Sequence, residues 1–317
     1  MEILTIGGLL AEIMRKDLDQ PFTQAADLTG PYPSGDATIF ADVAARLGNK
    51  VAMVGTVGND GFGECIVNRL KEDGVDVSSI KVDPLNTTGV AFVAYFSDGS
   101  RNFIYHWRYA AAGQINYDQV NPELLKDLKC LHLTGVGMSV NDSMKETMYK
   151  LNNEVSDDTL VSFDPNIRPE VLSADEIREL CRPVLERCDI FFPSETEAQL
   201  FTQLETDDLG CKKLAAEGKL VVLKNGEKGC VIYSGDQRME VPSFEVEEID
   251  PTGAGDSFAA GFITAYLRGY DLKSCGYFAN AVGALSVTKK GPMEGAPYEE
   301  DVFEFLKKNN VSLEYAK

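Results

Sequence analysis

Residues 249–262 read Ile-Asp-Pro-Thr-Gly-Ala-Gly-Asp-Ser-Phe-Ala-Ala-Gly-Phe. Gly253 and Gly255 bracket one small residue, so the backbone can turn tightly there and bring its N–H groups close to a ligand. From Asp256 the pattern becomes helical: Phe258, Phe262 and Ala265 fall near one stripe, and Gly269 is a stop signal. A glycine-rich turn that opens a helix makes an anion site, because free N–H groups and the positive end of the helix dipole face the same way. Asp256 stands at that same end. A carboxylate works against simple phosphate binding, yet it suits a base that takes a proton from a hydroxyl attacking a bound phosphate. Asp is also a favoured helix cap, and the residues alone leave cap and base open.

Upstream of this turn, short apolar runs alternate with amphipathic stretches. Ile3–Ile6, Val51–Val54, Cys130–Leu133, Leu160–Phe163, Ile190–Phe192 and Leu220–Leu223 are too short for helices and read as buried strands. Between them, 38–47, 62–73, 141–152, 174–186 and 195–202 read as helices. The alternation predicts an α/β fold: a doubly wound, mostly parallel sheet flanked by helices. Two segments break the rhythm. Residues 10–35 are long for a loop and contain Gly30, Pro31, Pro33 and Gly35, while 88–108 (TGVAFVAYFSDGSRNFIYHWR) are two β-rich runs around Ser97-Asp98-Gly99-Ser100. A hairpin does not belong inside a βαβ series. The two segments therefore predict a small β lid (10–35 and 88–108) on a core made of 1–9, 36–87 and 109–317. A peripheral hairpin is expected at 229–234 with 237–241, a helix over 272–289 and a last short helix over 299–308.

Lys plus Arg number 30 against 50 Asp plus Glu, a net charge of −20 over 317 residues. That surplus argues against nucleic acid and acidic membrane surfaces, which need clustered cations. Seven cysteines without a C-x-x-C pair, and only two histidines, exclude the usual zinc spacings. The thiols read as reduced and mostly buried, and MEILTIGG has no basic-then-apolar leader pattern. A soluble cytoplasmic protein is the expectation.

Asp-x-Thr-Gly-Ala-Gly-Asp-x-Phe strongly resembles the C-terminal signature of the ribokinase-like PfkB family of carbohydrate kinases, and 44–64 (AARLGNKVAMVGTVGNDGFGE) resembles its N-terminal box. The resemblance spans essentially the whole chain. It implies an ATP- and Mg²⁺-dependent sugar kinase with Asp256 as catalytic base and the N–H groups of Gly253, Ala254, Gly255 and Asp256 as anion hole. Gly35 and Asp36 match the Gly-Asp with which some members hold sugar hydroxyls, although Asp36 also suits a helix cap. Ser34 and Ile39 replace the Gly and Asn often found beside it. Ser194 and Glu197 align with an Asn-x-x-Glu motif near Mg²⁺ and the phosphates, with Glu197 acting through water. Lys224, Gly226, Gly229 and Asn280 fall on the nucleotide side. Asp250, Thr252 and Gly291 fall where cation-dependent members bind K⁺.

Asp164-Pro165-Asn166-Ile167-Arg168 resembles the DPNxR segment of fructokinases and 2-keto-3-deoxygluconate kinases. Arg108, with Tyr105 near it, falls close to where keto-deoxygluconate kinases place a Tyr and an Arg. Two arginines aimed at one pocket, Arg108 and Arg168, would suit a substrate carboxylate. A keto sugar acid is therefore the first expectation and fructose the second. A nucleoside kinase is a third reading, and a non-catalytic sugar or nucleotide sensor is a reading of another class. The apolar run Val90–Phe96 would be a sticky edge if bare, which predicts a homodimer through the lid.

Overall fold

The computed structural model describes residues 1–167 and 172–316. The chain opens with β1 (Ile3–Ile6), whose four residues are all buried. It then leaves the core for β2 (Leu10–Arg15) and β3 (Leu28–Ser34). It returns through α1 (Asp36–Arg46), β4 (Val51–Gly58), α2 (Gly61–Glu72) and β5 (Asp76–Asp83). A second excursion makes β6 (Gly89–Tyr95) and β7 (Arg101–His106).

From there β and α alternate: β8 (Cys130–Thr134), α3 (Gly135–Met138), α4 (Asp142–Glu154), β9 (Leu160–Asp164), α5 (Ala174–Arg187), β10 (Ile190–Phe191), α6 (Glu197–Thr202), α7 (Asp207–Ala216) and β11 (Leu220–Lys224). A hairpin, β12 (Cys230–Ser234) and β13 (Gln237–Val241), leads into α8 (Ala254–Leu267), α9 (Leu272–Ser286) and α10 (Glu299–Lys308).

Nine strands form one sheet in the order β13-β12-β11-β10-β9-β8-β1-β4-β5. Pairing is parallel from β11 to β5, and only the β11–β12–β13 hairpin end is antiparallel. Buried clusters lie on both faces, one around Phe40, Phe258, Phe262 and Phe278, the other around Leu131, Met148, Phe163 and Phe191. That two-sided burial is why the parallel strands read as continuous apolar runs. A separate sheet, β3-β2-β6-β7, forms the lid. Here the structure corrects one expectation. The apolar run Val90–Phe96 is not an edge, because β6 pairs with β2 on one side and β7 on the other; β3 and β7 are the outer strands. No helix among the described residues is long and apolar enough to cross a membrane.

Candidate active site

The turn before α8 is held in shape by Gly253. Its φ of +79° lies in the left-handed region, and a Cβ there would come within 2.8 Å of the Pro292 carbonyl oxygen and 3.0 Å of Ile39 Cδ1. Only glycine fits both the angle and the space. No side chain caps α8. The Ala254 N–H turns back to the Pro251 carbonyl at 3.3 Å, so the expected anion hole loses that donor to the turn itself. Among the described residues no hydrogen bond engages the N–H groups of Gly253 and Gly255, and Asp256 follows in the same first turn of the helix. Helix N-termini with free donors attract anions.

A cavity of about 270 Å³ opens on this turn, between the sheet ends and the lid. Its core-side wall includes Asp36, Ile39, Asp164, Ser194, Lys224 and Asp256. Gly35 caps α1 with φ +112° and no side-chain bond, which makes Asp36 the first helical residue rather than the cap. Lys224, at the end of β11, forms an ion pair with Asp164, at the end of β9. Its Nζ lies 3.5 Å from where a Cβ on Gly255 would stand, so a positive charge is packed against the anion turn. Burial alone would lower Lys224, but the carboxylates of Asp164 and Glu197 outweigh it and hold the ammonium above its ordinary value.

Glu197 sits behind this pair. Its Oε1 accepts from the Ile167 N–H at 2.9 Å and its Oε2 from the Ser194 N–H at 2.6 Å. Burial raises its pKa despite Lys224 nearby.

The lid supplies the opposite wall through Glu12, Arg101, Phe103, Tyr105 and Trp107. The last four alternate along one line, as every second side chain of a strand must. Phe103 and Tyr105 stack at 5.5 Å between centroids, and Tyr105 lies 5.5 Å from Trp107. Glu12 is 2% exposed; its Oε2 accepts from Ser34 Oγ at 2.7 Å, while Oε1 is buried without a partner. Burial lifts Glu12 to about 7, against the pull of the Ser34 hydrogen bond.

Arg108 does not reach this cavity. It lies past the end of β7, exposed, with its guanidinium 3.4 Å from the Ser139 carbonyl, and it lines a different groove with Tyr109 and Met138. Arg168 lies outside the described residues. The lid arginine in the pocket is Arg101, which sequence reasoning passed over along with Glu12 and Trp107. The signal was available: Arg101 shares the parity of Tyr105, and Arg108 does not.

Residues 5–299 match the pfkB family carbohydrate kinase profile. The chain belongs to that family. It is therefore a sugar phosphotransferase with a ribokinase-like fold. Fructokinase-1 of Zea mays is 30% identical over 87% of this chain and 88% of its own length. An Escherichia coli protein, solved as a candidate ribokinase II in complex with ATP and Mg²⁺, is 39% identical, covers 97% of this chain and 99% of its own, and superposes with a TM-score of 0.91. A Vibrio cholerae fructokinase in its fructose-, ADP- and calcium-bound form is 25% identical over 96% of this chain and 99% of its own, with a TM-score of 0.80.

The remaining family positions fall in three places. Gly226 and Gly229 shape the turn between β11 and β12, beside Lys224. Asn280 is 4% exposed and its amide donates to the carbonyls of Val241 and Pro242, both at 3.1 Å. That amide ties α9 to the end of β13 and is not free to meet a nucleotide.

Asp250, Thr252 and Gly291 do come together. Asp250 Oδ1 accepts from the Thr252 N–H at 3.0 Å and Oδ2 from the Gly291 N–H at 2.9 Å. Oδ1 also takes the hydroxyl of Tyr95, from the lid, at 2.7 Å. Among the described residues no group of three or more His, Cys, Asp or Glu could hold a metal ion.

Proposed function

We propose that this carbohydrate kinase transfers the γ-phosphoryl group of ATP to a primary hydroxyl of a small neutral ketose, fructose being the best fit. The observation that carries the reading is the convergence of Glu12, Asp36 and Asp256 on one cavity above the anion turn. Ionised carboxylates are pure acceptors and a carboxyl that keeps its proton, as Glu12 does below about pH 7, both donates and accepts; a polyol offers hydroxyls that match either. A substrate carboxylate would meet three acids there. The support from relatives is consistent, since fructokinases recur among them.

In this reading Asp36 and Glu12 hold sugar hydroxyls and the Phe103–Tyr105–Trp107 face covers the ring. Asp256 takes the proton of the attacking hydroxyl as it moves in line on the phosphoryl group. The N–H groups of Gly253 and Gly255, with Lys224 behind them, stabilise charge building on the transferring oxygens. Asp164 and Asp256, both lining the cavity, are the carboxylates that suit Mg²⁺ held through water, and Mg²⁺ neutralises phosphate charge when bound. Glu197 already accepts two N–H bonds and orders the loop behind them. Closure of the lid excludes water as a competing nucleophile.

A second reading, a keto sugar acid such as 2-keto-3-deoxygluconate, is favoured by one observation: the Arg101 guanidinium in the cavity wall. A coupled ADP-release assay with Mg·ATP against fructose, 2-keto-3-deoxygluconate, ribose, tagatose and inosine separates the readings. Turnover on fructose supports the first, and turnover confined to the keto acid overturns it.

A homodimer through the lid stays part of the proposal. It is supported by the outer strand β7 and by Ile104 and Leu28, exposed at 39% and 48%. A monomeric mass by light scattering would refute it.

A further inference from the structure

The turn that carries the anion hole is fastened to the lid by one hydroxyl. Tyr95 ends β6, and its single proton goes to Asp250, so the Thr252 hydroxyl must be the donor in the bond between Thr252 and Tyr95. Asp250 is 0% exposed. Both of its oxygens and the Thr252 hydroxyl are thereby turned towards N–H and O–H partners. These are the side-chain oxygens a monovalent cation would need; with three of about four acceptor positions of Asp250 taken and the Thr252 hydroxyl turned to Tyr95, they are a poor fit to a bound K⁺.

The base of the turn is anchored to the core, the Ile249 and Asp250 N–H groups donating to the Val287 carbonyl at 2.8 and 3.1 Å, whereas its tip is held less firmly. α8 has no side-chain cap and the Ala254–Pro251 bond is long at 3.3 Å. A second lid contact lies on the far side of Asp250: Lys290, next to Gly291, donates to the Lys16 carbonyl at 2.8 Å and to the Arg15 carbonyl at 3.4 Å. Lid contacts thus reach both loop segments beside the buried carboxylate, 250–253 through Tyr95 and 290–291 through Lys290.

We infer that Tyr95 is a positioning residue for phosphoryl transfer, its hydroxyl holding residues 250–253 in their anion-binding shape from the lid, in the place where the sequence led us to expect a cation. The inference rests on the kinase reading above. A buried carboxylate that loses a donor must find another or rearrange. Lifting the lid therefore loosens the anion hole, and seating the lid over a sugar completes it. This coupling restrains ATP hydrolysis when no acceptor is bound.

The test uses Tyr95→Phe, which keeps the ring and removes only the hydroxyl, with Thr252→Val as a second variant that removes the other side of the contact. Steady-state rates on the acceptor preferred by wild type are read together with acrylamide quenching of Trp107. This is the only tryptophan of the chain, and it lies in the lid wall of the cavity. We expect kcat to fall at least about fivefold in either variant, with both KM values within about twofold of wild type in Tyr95→Phe, because Tyr95 acts on the turn from outside the cavity lining, which includes Thr252. The double variant should lose no more than the worse single variant. Trp107 should become more accessible to quencher, and wild-type rates should be equal in potassium and sodium chloride. A kcat within twofold of wild type, additive losses, unchanged quenching or a severalfold potassium activation of wild type would each overturn the inference. Should wild type phosphorylate no sugar in the panel, the substrate reading fails, while Trp107 quenching unchanged in Tyr95→Phe would still overturn the lid-to-turn fastening.

Discussion

The two walls of the cavity are built by different means. On the core side, the anion turn is a backbone object: Gly253 is demanded by its φ of +79° and by the Pro292 carbonyl 2.8 Å from any Cβ, and Asp256 follows at a fixed place on α8. On the lid side, the wall is made of side chains whose direction depends on which residue of β7 faces inward. Chemistry made by backbone shape is written into residue order. Chemistry made by strand faces depends on parity, and a shift of one residue reverses every side chain.

The core wall is broken most severely by Asp256→Asn. The variant should lose about 10³-fold in kcat, in the range expected when a positioned base is removed. Its melting temperature should stay within about 2 °C of wild type, because an isosteric change at a cavity wall leaves the packing intact. Steady-state kinetics and thermal unfolding check this together, and a variant that retains more than about a tenth of wild-type kcat would remove Asp256 from the base role.

The lid wall has its own signature in Glu12. Burial lifts this carboxyl from an ordinary 4.5 to about 7. Between these values the folded protein keeps a proton that the unfolded chain has shed, so the stability associated with it is complete below 4.5 and lost as pH rises through 7. Glu12→Gln removes the titration. Relative to this variant, wild type should lose about 3 kcal/mol between pH 4.5 and pH 8. Denaturant titrations at a series of pH values measure it, and a pH-independent difference would show that Glu12 is ionised in the folded protein.

Arg101 and Arg108 give the sharpest contrast between neighbouring parts of the lid. Arg101→Ala should raise the acceptor KM about tenfold, the loss of one charged hydrogen-bonding partner in the cavity wall, and Arg108→Ala should change it less than about twofold, since Arg108 lines a different groove. The reverse order would put Arg108 rather than Arg101 in the pocket.

Much of the fold was legible because the parallel strands are buried on both sides. Ile3–Ile6 and Cys130–Thr134 are buried at every residue and mostly apolar, and the alternation with amphipathic helices follows. β5 escaped notice for the opposite reason: it is an outer strand with only Ser79 buried, so it shows no apolar run. α7 was equally silent, as it packs through Gly210, Cys211, Leu214 and Ala215, a face too small to stand out. In the site, glycine spacing revealed the anion turn. The partners of Asp250 could not be read, because Tyr95 lies 155 positions away and meets it only through the seating of the lid. Arg108 looked plausible by its neighbours and was excluded by β7 ending at His106.

The most direct test of the account is ³¹P nuclear magnetic resonance of wild-type protein with Mg·ATP and fructose. A proton-coupled phosphomonoester signal split by two methylene protons, growing as ADP forms, is the predicted result, since it marks transfer to a primary hydroxyl. ATP conversion to inorganic phosphate alone, or no conversion at all, would contradict the claim that this cavity aligns a ketose hydroxyl between Asp256 and the anion turn.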